Sequence, residues 1–234
     1  MCGRFAMDET VNDLITEFVI ATGQQPENWS PDWRQGYNIK PTETVATVFE
    51  SVRDGSPVRR LDGARWSLVP SWAKHPKLKF PTFNARSEDA ASKPAFKASV
   101  VSKRAIVPAN GYYEWKTVGK TKTPFYIHDP ERPLDIAALY SWWRASPAEP
   151  WLLTVSILTR AAHGALAEIH DRTPVTLPRS MRDMWLDATI AGDQKLVDAA
   201  AAASQEVDLE LYEVAPLGRD ADGPELIDQV ERLI

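Results

Sequence analysis

The stretch AIVPANGYYEW, residues 105–115, carries the pattern that decides the fold. Two short runs rich in β-branched and aromatic side chains, 105–107 and 112–115, lie on either side of a turn that contains proline and glycine, which is typical of β-strands. Comparable runs recur at residues 44–49, 124–127, 136–140 and 152–158. Glycine, proline and charged turns separate these runs, without repeated long helices between them. We therefore predict a mixed or antiparallel sheet, not a doubly wound arrangement.

Helical spacing is limited to a few segments. Apolar residues at positions 11, 14, 15, 18 and 19 follow the helical period, and Gly23 can end that helix. A loop rich in proline, tryptophan and asparagine follows as far as Tyr37, and residues 162–169, 180–190 and 193–203 have helical patterns. We predict an α+β fold formed by one domain over residues 1–234, with a mixed or antiparallel β-sheet core and peripheral helices. Residues 179–234 are expected at the periphery of that same domain.

Composition indicates an ordinary globular chain. Of the 234 residues, 44% are hydrophobic and 25% are charged, which allows one sizeable core. Because Cys2 is the only cysteine, no intrachain disulfide can form. No apolar run reaches about 18 residues, and Asp13 and Glu17 interrupt the first apolar stretch, so we expect neither a membrane span nor a signal peptide. We expect a cytoplasmic monomer without cofactor or metal, since one cysteine and four scattered histidines give no recognisable ligand spacing.

Charge is distributed unevenly along the chain. Residues 59–122 contain 14 basic and 4 acidic side chains, a net charge of +10, and the remainder contains 13 basic and 28 acidic side chains, a net charge of −15. Basic side chains neutralise phosphates and aromatic faces stack on unpaired bases, so this mixture suits single-stranded nucleic acid. The alternative is that the aromatic residues fill the core and the lysines form a solvated face. The aromatic residues in question are Trp66, Trp72, Phe80, Phe83, Phe96, Tyr112, Tyr113 and Trp115.

Cys2 occupies a position with distinctive chemistry. If Met1 is removed, the chain begins with a cysteine whose α-amine and thiol lie on adjacent carbons. An aldehyde forms an imine with such an amine, and the thiol then closes a five-membered thiazolidine. The α-amine titrates near ~8 and the thiol near ~8.5, so both are usable at neutral pH. The alternative is that Cys2 is an inert small apolar residue, which is the usual role of a lone cysteine.

Three further side chains are candidates for the chemistry of a site. Glu114 is bracketed by aromatic residues in a predicted strand, so its carboxyl is expected to be partly desolvated, with the raised pKa that an acid/base group near neutral pH needs. His170 precedes a charged pair and a proline turn, where one ring nitrogen could shuttle a proton. A strand-end salt bridge for Glu114 and a structural hydrogen bond for His170 are the alternatives. Asn84 is the third candidate.

Six phrases occur in an order that identifies a family. They run from residue 2 to about residue 178 and together resemble the SRAP family, the SOS response-associated peptidase or abasic-site processing proteins of DNA repair. The phrases are MCGRF at residues 1–5, Tyr37-Asn38 with Pro41, RWSLVPSWAK at 65–74, NARSE at 84–88, VPANGYYEW at 107–115 and IHDR at 169–172.

The resemblance implies a covalent reaction with damaged DNA. Members of the family trap abasic sites in single-stranded DNA as a thiazolidine DNA-protein crosslink, with Cys2 here as the nucleophile. By the same resemblance Asn84 orients the Cys2 adduct. Glu114 is the acid/base group for imine chemistry and for removal of Met1 by self-cleavage, and His170 stabilises or protonates the sugar oxygen as the ring opens. A strand-cleaving lyase activity is a further possibility for such a protein.

The resemblance also implies a DNA-binding groove. Arginine grips phosphate bidentately, so the first phosphate contacts are expected from Arg4, Arg86 and Arg172. The residues expected to flank the lesion or to lie close to it are Tyr37, Asn38, Pro41, Trp72 and Thr159. The expected partner is single-stranded DNA that contains abasic sites, which would place the protein on the nucleoid when it is bound to damaged DNA.

Two other classes of function stay open on the sequence alone. One is a cysteine hydrolase or peptidase that acts in trans, with Cys2 activated by His170; it requires turnover on a peptide other than the protein's own terminus. The other is a noncatalytic single-stranded DNA-binding module in which Cys2 is incidental. A heat-stable covalent product with an abasic oligonucleotide distinguishes both from the crosslinking reaction.

Overall fold

A computed structural model describes residues 2–8 and 32–231 of the chain. The strands are β1 Phe5–Met7, β2 Gly36–Ile39, β3 Thr44–Arg53, β4 Ser56–Trp66, β5 Asn84–Arg86, β6 Arg104–Ala109, β7 Gly111–Val118, β8 Thr121–His128, β9 Leu134–Trp143, β10 Leu152–Ala161, β11 Arg172–Pro174 and β12 Glu210–Glu213. The α-helices are α1 Lys97–Ser102, α2 Arg179–Leu186 and α3 Gln194–Ala203. Short 3₁₀ helices cover Ser87–Asp89, Gly164–Glu168, Ser204–Glu206 and Pro224–Ile227.

The larger sheet closes on itself. Its strands follow the order β10-β4-β3-β6-β9, and β9 pairs with β10 again, so the five strands form a barrel. Most pairs are antiparallel, but β10 runs parallel to β4 and to β5. β11 pairs with the end of β10 beyond the barrel, opposite residues 159–161. One strand, β10, therefore brings together β5 and β11, which come from distant parts of the sequence.

The smaller sheet is antiparallel and has the order β12-β8-β7-β1-β2. Alternate side chains of a strand point to opposite faces. Tyr113 of β7 packs with Tyr126 on one face, whereas its neighbour Tyr112 belongs to the main hydrophobic core. The core face of this sheet meets the barrel where the rings of Phe5 and Trp66 lie 4.9 Å apart between centroids.

Buried polar contacts fix the helices against the barrel. The guanidinium of Arg104, at the start of β6, donates to the backbone oxygens of Val100 in α1 and Trp185 in α2. Arg182 of α2 forms a buried ion pair with Asp135 of β9 at 2.6 Å. Each charge is satisfied by its partners, as a buried charge must be.

The predicted α+β fold with mixed and antiparallel sheets is confirmed, and several boundaries differ from the prediction. Tyr37 lies in β2, because that strand pairs with β1. Residues predicted as a helix over 162–169 form a 3₁₀ helix over Gly164–Glu168, and α2 ends at Leu186, where Asp187 leaves the helical region with ψ 102°. The helix predicted near residues 11–19 lies outside the described residues. The domain boundaries 1–234 stay a prediction.

Candidate active site

Strand pairing places Cys2 beside Glu114. In the antiparallel pair of β1 with β7, Phe5 lies opposite Tyr112. Residues before Phe5 therefore run alongside residues after Tyr112; the continued register sets Gly3 opposite Glu114, with Cys2 next to it. Tyr112 and Glu114 are two positions apart, so both project from the core face of β7. The neighbourhood of Cys2 and Glu114 thus follows from the register of two strands.

The thiol of Cys2 is fully buried, and its Sγ donates to the backbone oxygen of Arg4 at 3.8 Å. Burial raises the pKa of the Cys2 thiol well above its usual range, and the charge of the Glu114 carboxylate raises it further. The thiol is therefore protonated at neutral pH in this structure. It needs a base before it can act as a nucleophile.

Asn84 holds the backbone of Cys2. It begins β5, opposite Ile157 of β10, and its Nδ2 donates to the backbone oxygen of Cys2 at 2.6 Å. The Oδ1 atom of the same amide is buried and has no hydrogen-bond partner among the described residues. A buried acceptor without a donor is unfavourable, so this oxygen is suited to accept a hydrogen bond from a group that forms during the reaction. An amine or a protonated imine on Cys2 is a donor of that kind.

Glu114 has the properties of an acid/base group. Its side chain is 3% exposed, and burial raises its pKa from 4.5 to about 7 because water no longer solvates the charged form. A carboxyl group with a pKa near neutrality is present in both protonation states at physiological pH. It can therefore donate a proton in one step and accept one in the next.

His170 lies directly before β11, and its Nδ1 has two close neighbours. The backbone N–H of Arg172 donates to Nδ1 at 3.0 Å, and the exposed carboxylate of Asp171 lies 2.8 Å from the same atom. Burial lowers the pKa of His170, so the ring is neutral at neutral pH. A neutral ring either accepts the Arg172 N–H at Nδ1 and carries its own proton on Nε2, or carries its proton on Nδ1, toward Asp171, with Nε2 as an acceptor. A protonated His170 ring donates its Nδ1–H to the carboxylate of Asp171.

A cavity of about 320 Å³ joins two of these groups. Glu114 and His170 both line it, together with Trp115, Thr117 and Lys122. The structure therefore brings the four predicted catalytic residues into one neighbourhood. Asn84 bonds to Cys2, Cys2 lies beside Glu114, and Glu114 shares the cavity with His170.

Arg172 connects the segments that carry Asn84 and His170. Its Nη1 and Nη2 donate to the two carboxylate oxygens of Glu88 at 2.6 and 2.9 Å, and Nη2 also donates to Thr159 Oγ1 at 3.2 Å. The bond from Arg172 lowers the pKa of Glu88. The guanidinium of Arg172 faces these partners and not solvent, so the phosphate contact predicted for it is not available in this arrangement.

Two residues predicted to meet DNA lie on a groove next to Asn84. Arg86 is exposed, and Trp72 is 57% exposed. The groove has a volume of about 650 Å³, and its walls are largely apolar. The lining residues are Trp72, Phe80, Pro81, Phe83, Asn84, Arg86, Asp89, Lys93, Pro94, Ala95 and Phe96.

Arg4 and Thr159 lie at the site in different ways. The guanidinium carbon of Arg4 lies 5.6 Å from the ring centroid of Trp115, a cation–π contact. Its Nη1 is buried and has no hydrogen-bond partner among the described residues, so a donor is left for an acceptor such as phosphate. Thr159 is fully buried, and its Oγ1 donates to the backbone oxygen of Ala85 at 3.4 Å.

The residues in and after β2 that were predicted to contact DNA are partly covered by other segments. Asn38 is fully buried, and its Nδ2 donates to the backbone oxygen of Ala221 at 2.6 Å. The segment around residue 221 therefore covers this side chain, and contact with DNA would require that segment to move. Tyr37 donates its hydroxyl to Asp8 at 2.9 Å, and Pro41 is partly exposed.

Sequence reasoning missed two side-chain contacts of the site. The hydroxyl groups of Tyr112 and Thr173 lie 2.6 Å apart and link β7 to β11. Glu88 supplies the carboxylate that holds Arg172. Only the acid at the end of the NARSE phrase, residues 84–88, could have indicated the second contact. Nothing in the sequence indicated the first.

The described residues 2–8 and 32–231 hold neither a metal cluster nor a membrane-spanning helix. They contain no group of three or more His, Cys, Asp or Glu side chains that could hold a metal ion. None of their helices has the length and apolar character required to cross a membrane.

Comparison with known proteins shows a family and a shared fold. The sequence model of the family described as SOS response associated peptidase (SRAP) matches residues 1–217. Abasic site processing protein YoqW of Bacillus subtilis is 34% identical over 232 residues, which cover 97% of this chain and 99% of that protein. Abasic site processing protein YedK of Escherichia coli is 33% identical, with 86% of each chain covered.

Two solved structures have a similar fold. A protein from Bacteroides thetaiotaomicron matches with a TM-score of 0.77 and 20% identity, covering 98% of this chain and 100% of the other. A phage-related protein from Bordetella bronchiseptica matches with a TM-score of 0.65 and 26% identity, covering 92% of this chain and 95% of the other.

Proposed function

The chain belongs to the SOS response associated peptidase (SRAP) family, and from this premise we propose that it processes abasic sites in DNA by forming a covalent crosslink through Cys2. Its relatives YoqW and YedK are named abasic site processing proteins. The proposal rests on the arrangement of side chains around Cys2. Asn84 holds its backbone at 2.6 Å, and Glu114, with a pKa of about 7, lies beside it.

The reaction requires a free α-amine on Cys2. In the chain as translated, that nitrogen belongs to the peptide bond with Met1. Hydrolysis of this bond consumes one water, releases methionine and exposes the amine. We assign the proton transfers of this step to Glu114, so that the protein removes its own first residue. The Asn84 bond keeps the new terminus in place, which lowers the entropic cost of the next step.

Imine formation uses Glu114 as an acid. The amine of Cys2 adds to the aldehyde carbon of the ring-opened sugar and gives a carbinolamine. Protonated Glu114 donates to the carbinolamine hydroxyl, which leaves as water, and a protonated imine and a carboxylate remain. The Oδ1 of Asn84, which has no partner in the described part of the chain, accepts a hydrogen bond from the imine nitrogen and so orients the carbon toward the thiol.

Ring closure uses Glu114 as a base. Its carboxylate takes the proton of the Cys2 thiol, the sulfur adds to the imine carbon, and the nitrogen becomes neutral. Glu114 returns to its protonated state, and the sum of both steps is the loss of one water. Burial keeps the thiol protonated until this moment, which protects it from unrelated electrophiles.

His170 is assigned to the opening of the sugar. An abasic deoxyribose is mostly a closed hemiacetal, and its ring oxygen must gain a proton as the aldehyde forms. With its own proton on Nδ1, toward Asp171, the neutral ring of His170 first takes the hydroxyl proton of the sugar at Nε2, in the cavity that it shares with Glu114. The imidazolium then gives this proton to the ring oxygen as the carbon–oxygen bond breaks, so the opening needs no other reagent.

The groove next to Asn84 is proposed to hold the DNA strand that flanks the lesion. Trp72 offers an exposed aromatic face, and Arg86 offers an exposed guanidinium. Arg4 adds a buried nitrogen that has no acceptor within residues 2–8 and 32–231. Single strands are bound by such combinations of stacking faces and phosphate contacts.

The test is incubation of the purified protein with an oligonucleotide that carries one abasic site. We expect a covalent product that survives heating, none with Cys2→Ala, and only a reducible imine with Cys2→Ser. An undiminished heat-stable product from Cys2→Ala would overturn the proposal. Binding without any covalent product would favour a noncatalytic DNA-binding module, and turnover of an unrelated peptide would favour a hydrolase that acts in trans.

A further inference from the structure

An aromatic and basic surface lies outside the proposed active site, where β9 ends and β10 begins. We call it the hairpin patch and define it by Arg60, Trp142, Arg144 and Trp151. A cavity of about 380 Å³ is lined by Arg60, Trp142 and Trp151, a volume within the range of small-ligand clefts, about 300–1,000 Å³. Trp151 is 55% exposed, which is unusual for so large an apolar side chain.

Both arginines of the hairpin patch lie over aromatic rings. The guanidinium carbon of Arg144 is 4.3 Å from the ring centroid of Trp151, and that of Arg60 is 5.9 Å from the centroid of Trp142. Asp62 opposes part of this charge through an ion pair with Arg60 at 2.8 Å. Arg144 is exposed and has no ion pair within the described residues. Stacked indoles with an accessible cation suit a flat base that is linked to a phosphate.

One loop contacts both the groove beside Asn84 and Trp143, the sequence neighbour of Trp142. Trp143 packs with Val69 and Ala73, and its Nε1 donates to the backbone oxygen of Ala73 at 2.8 Å. Ala73 follows Trp72, which lines the groove. The loop then continues with three exposed lysines, Lys74, Lys77 and Lys79. Three exposed cations thus lie on a loop that begins at the groove and packs against the residue between Trp142 and Arg144.

We propose that the hairpin patch is a second binding surface for the flanking strand of the same single-stranded DNA. The strand leaves the groove beside Asn84, follows the lysine loop and places an unpaired base against Trp151 and Trp142, with its phosphate at Arg144. This inference rests on the proposed function for the identity of the ligand. With this second surface, the affinity of the protein for DNA depends on the length of the single strand that flanks the lesion.

The experiment measures binding to labelled, undamaged oligonucleotides of increasing length by fluorescence anisotropy. For the unaltered protein, affinity should rise once the strand is long enough to reach the hairpin patch. Trp151→Ala and Arg144→Ala should each lose about fivefold or more of the affinity for long strands, the loss expected when one stacked base is removed. Short strands should bind to these variants as they bind to the unaltered protein, which also shows that the variants are folded.

Two controls separate this inference from a general charge effect. Trp151→Phe keeps an aromatic face and should retain the gain with length. Lys195→Ala removes one exposed charge from α3 and should have no length-dependent effect. Equal affinities of Trp151→Ala and the unaltered protein at every length would overturn the inference. Because undamaged DNA is used, this result is independent of crosslinking, so failure of the crosslink would count against the proposed function alone.

Discussion

Replacement of Glu114 by glutamine should stabilise the protein at alkaline pH while it slows the crosslinking reaction. Glu114 is 3% exposed, and burial raises its pKa from 4.5 to about 7. The folded state therefore binds this proton more tightly than the unfolded state does. Stability is highest where the carboxyl is protonated in both states and falls as pH rises from about 4.5 to about 7.

The size of the effect follows from the shift in pKa. A difference of one unit corresponds to about 1.4 kcal/mol, so the buried carboxylate costs about 3 kcal/mol of folding free energy above pH ~7. Glutamine has nearly the same shape and does not titrate. The variant should therefore gain up to about 3 kcal/mol over the unaltered protein at pH ~8, and the gain should shrink toward pH ~5.

Urea unfolding at several pH values measures this difference in the free energy of unfolding. Asn84→Ala provides a control, because it alters the same site without removal of a titrating group, and its effect should not change with pH. In parallel, Glu114→Gln prepared with Cys2 as its first residue should form the crosslink about a hundredfold more slowly, a typical loss for a general acid or base. A difference in stability that stays constant from pH ~5 to pH ~8 would refute the argument that burial raises this pKa.

The remaining predictions concern the supports of the site and its ligand. Removal of the Arg172 ion pair by Glu88→Gln should slow crosslinking by about tenfold while leaving affinity for undamaged DNA unchanged; crosslinking at the unaltered rate would show that this ion pair does not support the site. Thr173→Val should cost about 1–3 kcal/mol in urea unfolding, because it strands the buried Tyr112 hydroxyl, and the double variant with Tyr112→Phe should recover part of that cost. A double variant that loses more unfolding free energy than the two single variants lose in sum would contradict this pairing. Affinity for undamaged single strands should fall linearly with salt on logarithmic axes, less steeply for Arg86→Ala, and a flat response would exclude phosphate contact.

The sequence was sufficient for the main features of the fold, and the choice of site residues stays a prediction. Short runs rich in β-branched and aromatic residues predicted the strands that became β3, β6, β7, β8, β9 and β10. This pattern did not predict β4, since Ser56–Trp66 contains a proline, a glycine and several charges. That strand forms because β3 pairs with it over ten positions, a tertiary effect that overrides its local propensity.

The partners of individual side chains were beyond sequence reasoning. Residue type made Arg172 a natural phosphate ligand, but β11 pairs with β10 and turns its guanidinium toward Glu88 and Thr159. Asn38 was expected at the lesion, yet the segment that contains Ala221 covers it. Both outcomes depend on contacts between segments far apart in the chain, which no local pattern encodes.

The central claim is that the amine and the thiol of Cys2 react together after Met1 has been removed. Intact-mass measurement of the protein before and after exposure to an abasic oligonucleotide tests it most directly. The protein alone should have the mass of the chain without Met1. The product should have the sum of protein and oligonucleotide masses minus one water, and Cys2→Ala should give no such species after heating. A crosslinked protein that still carries Met1 would contradict the claim.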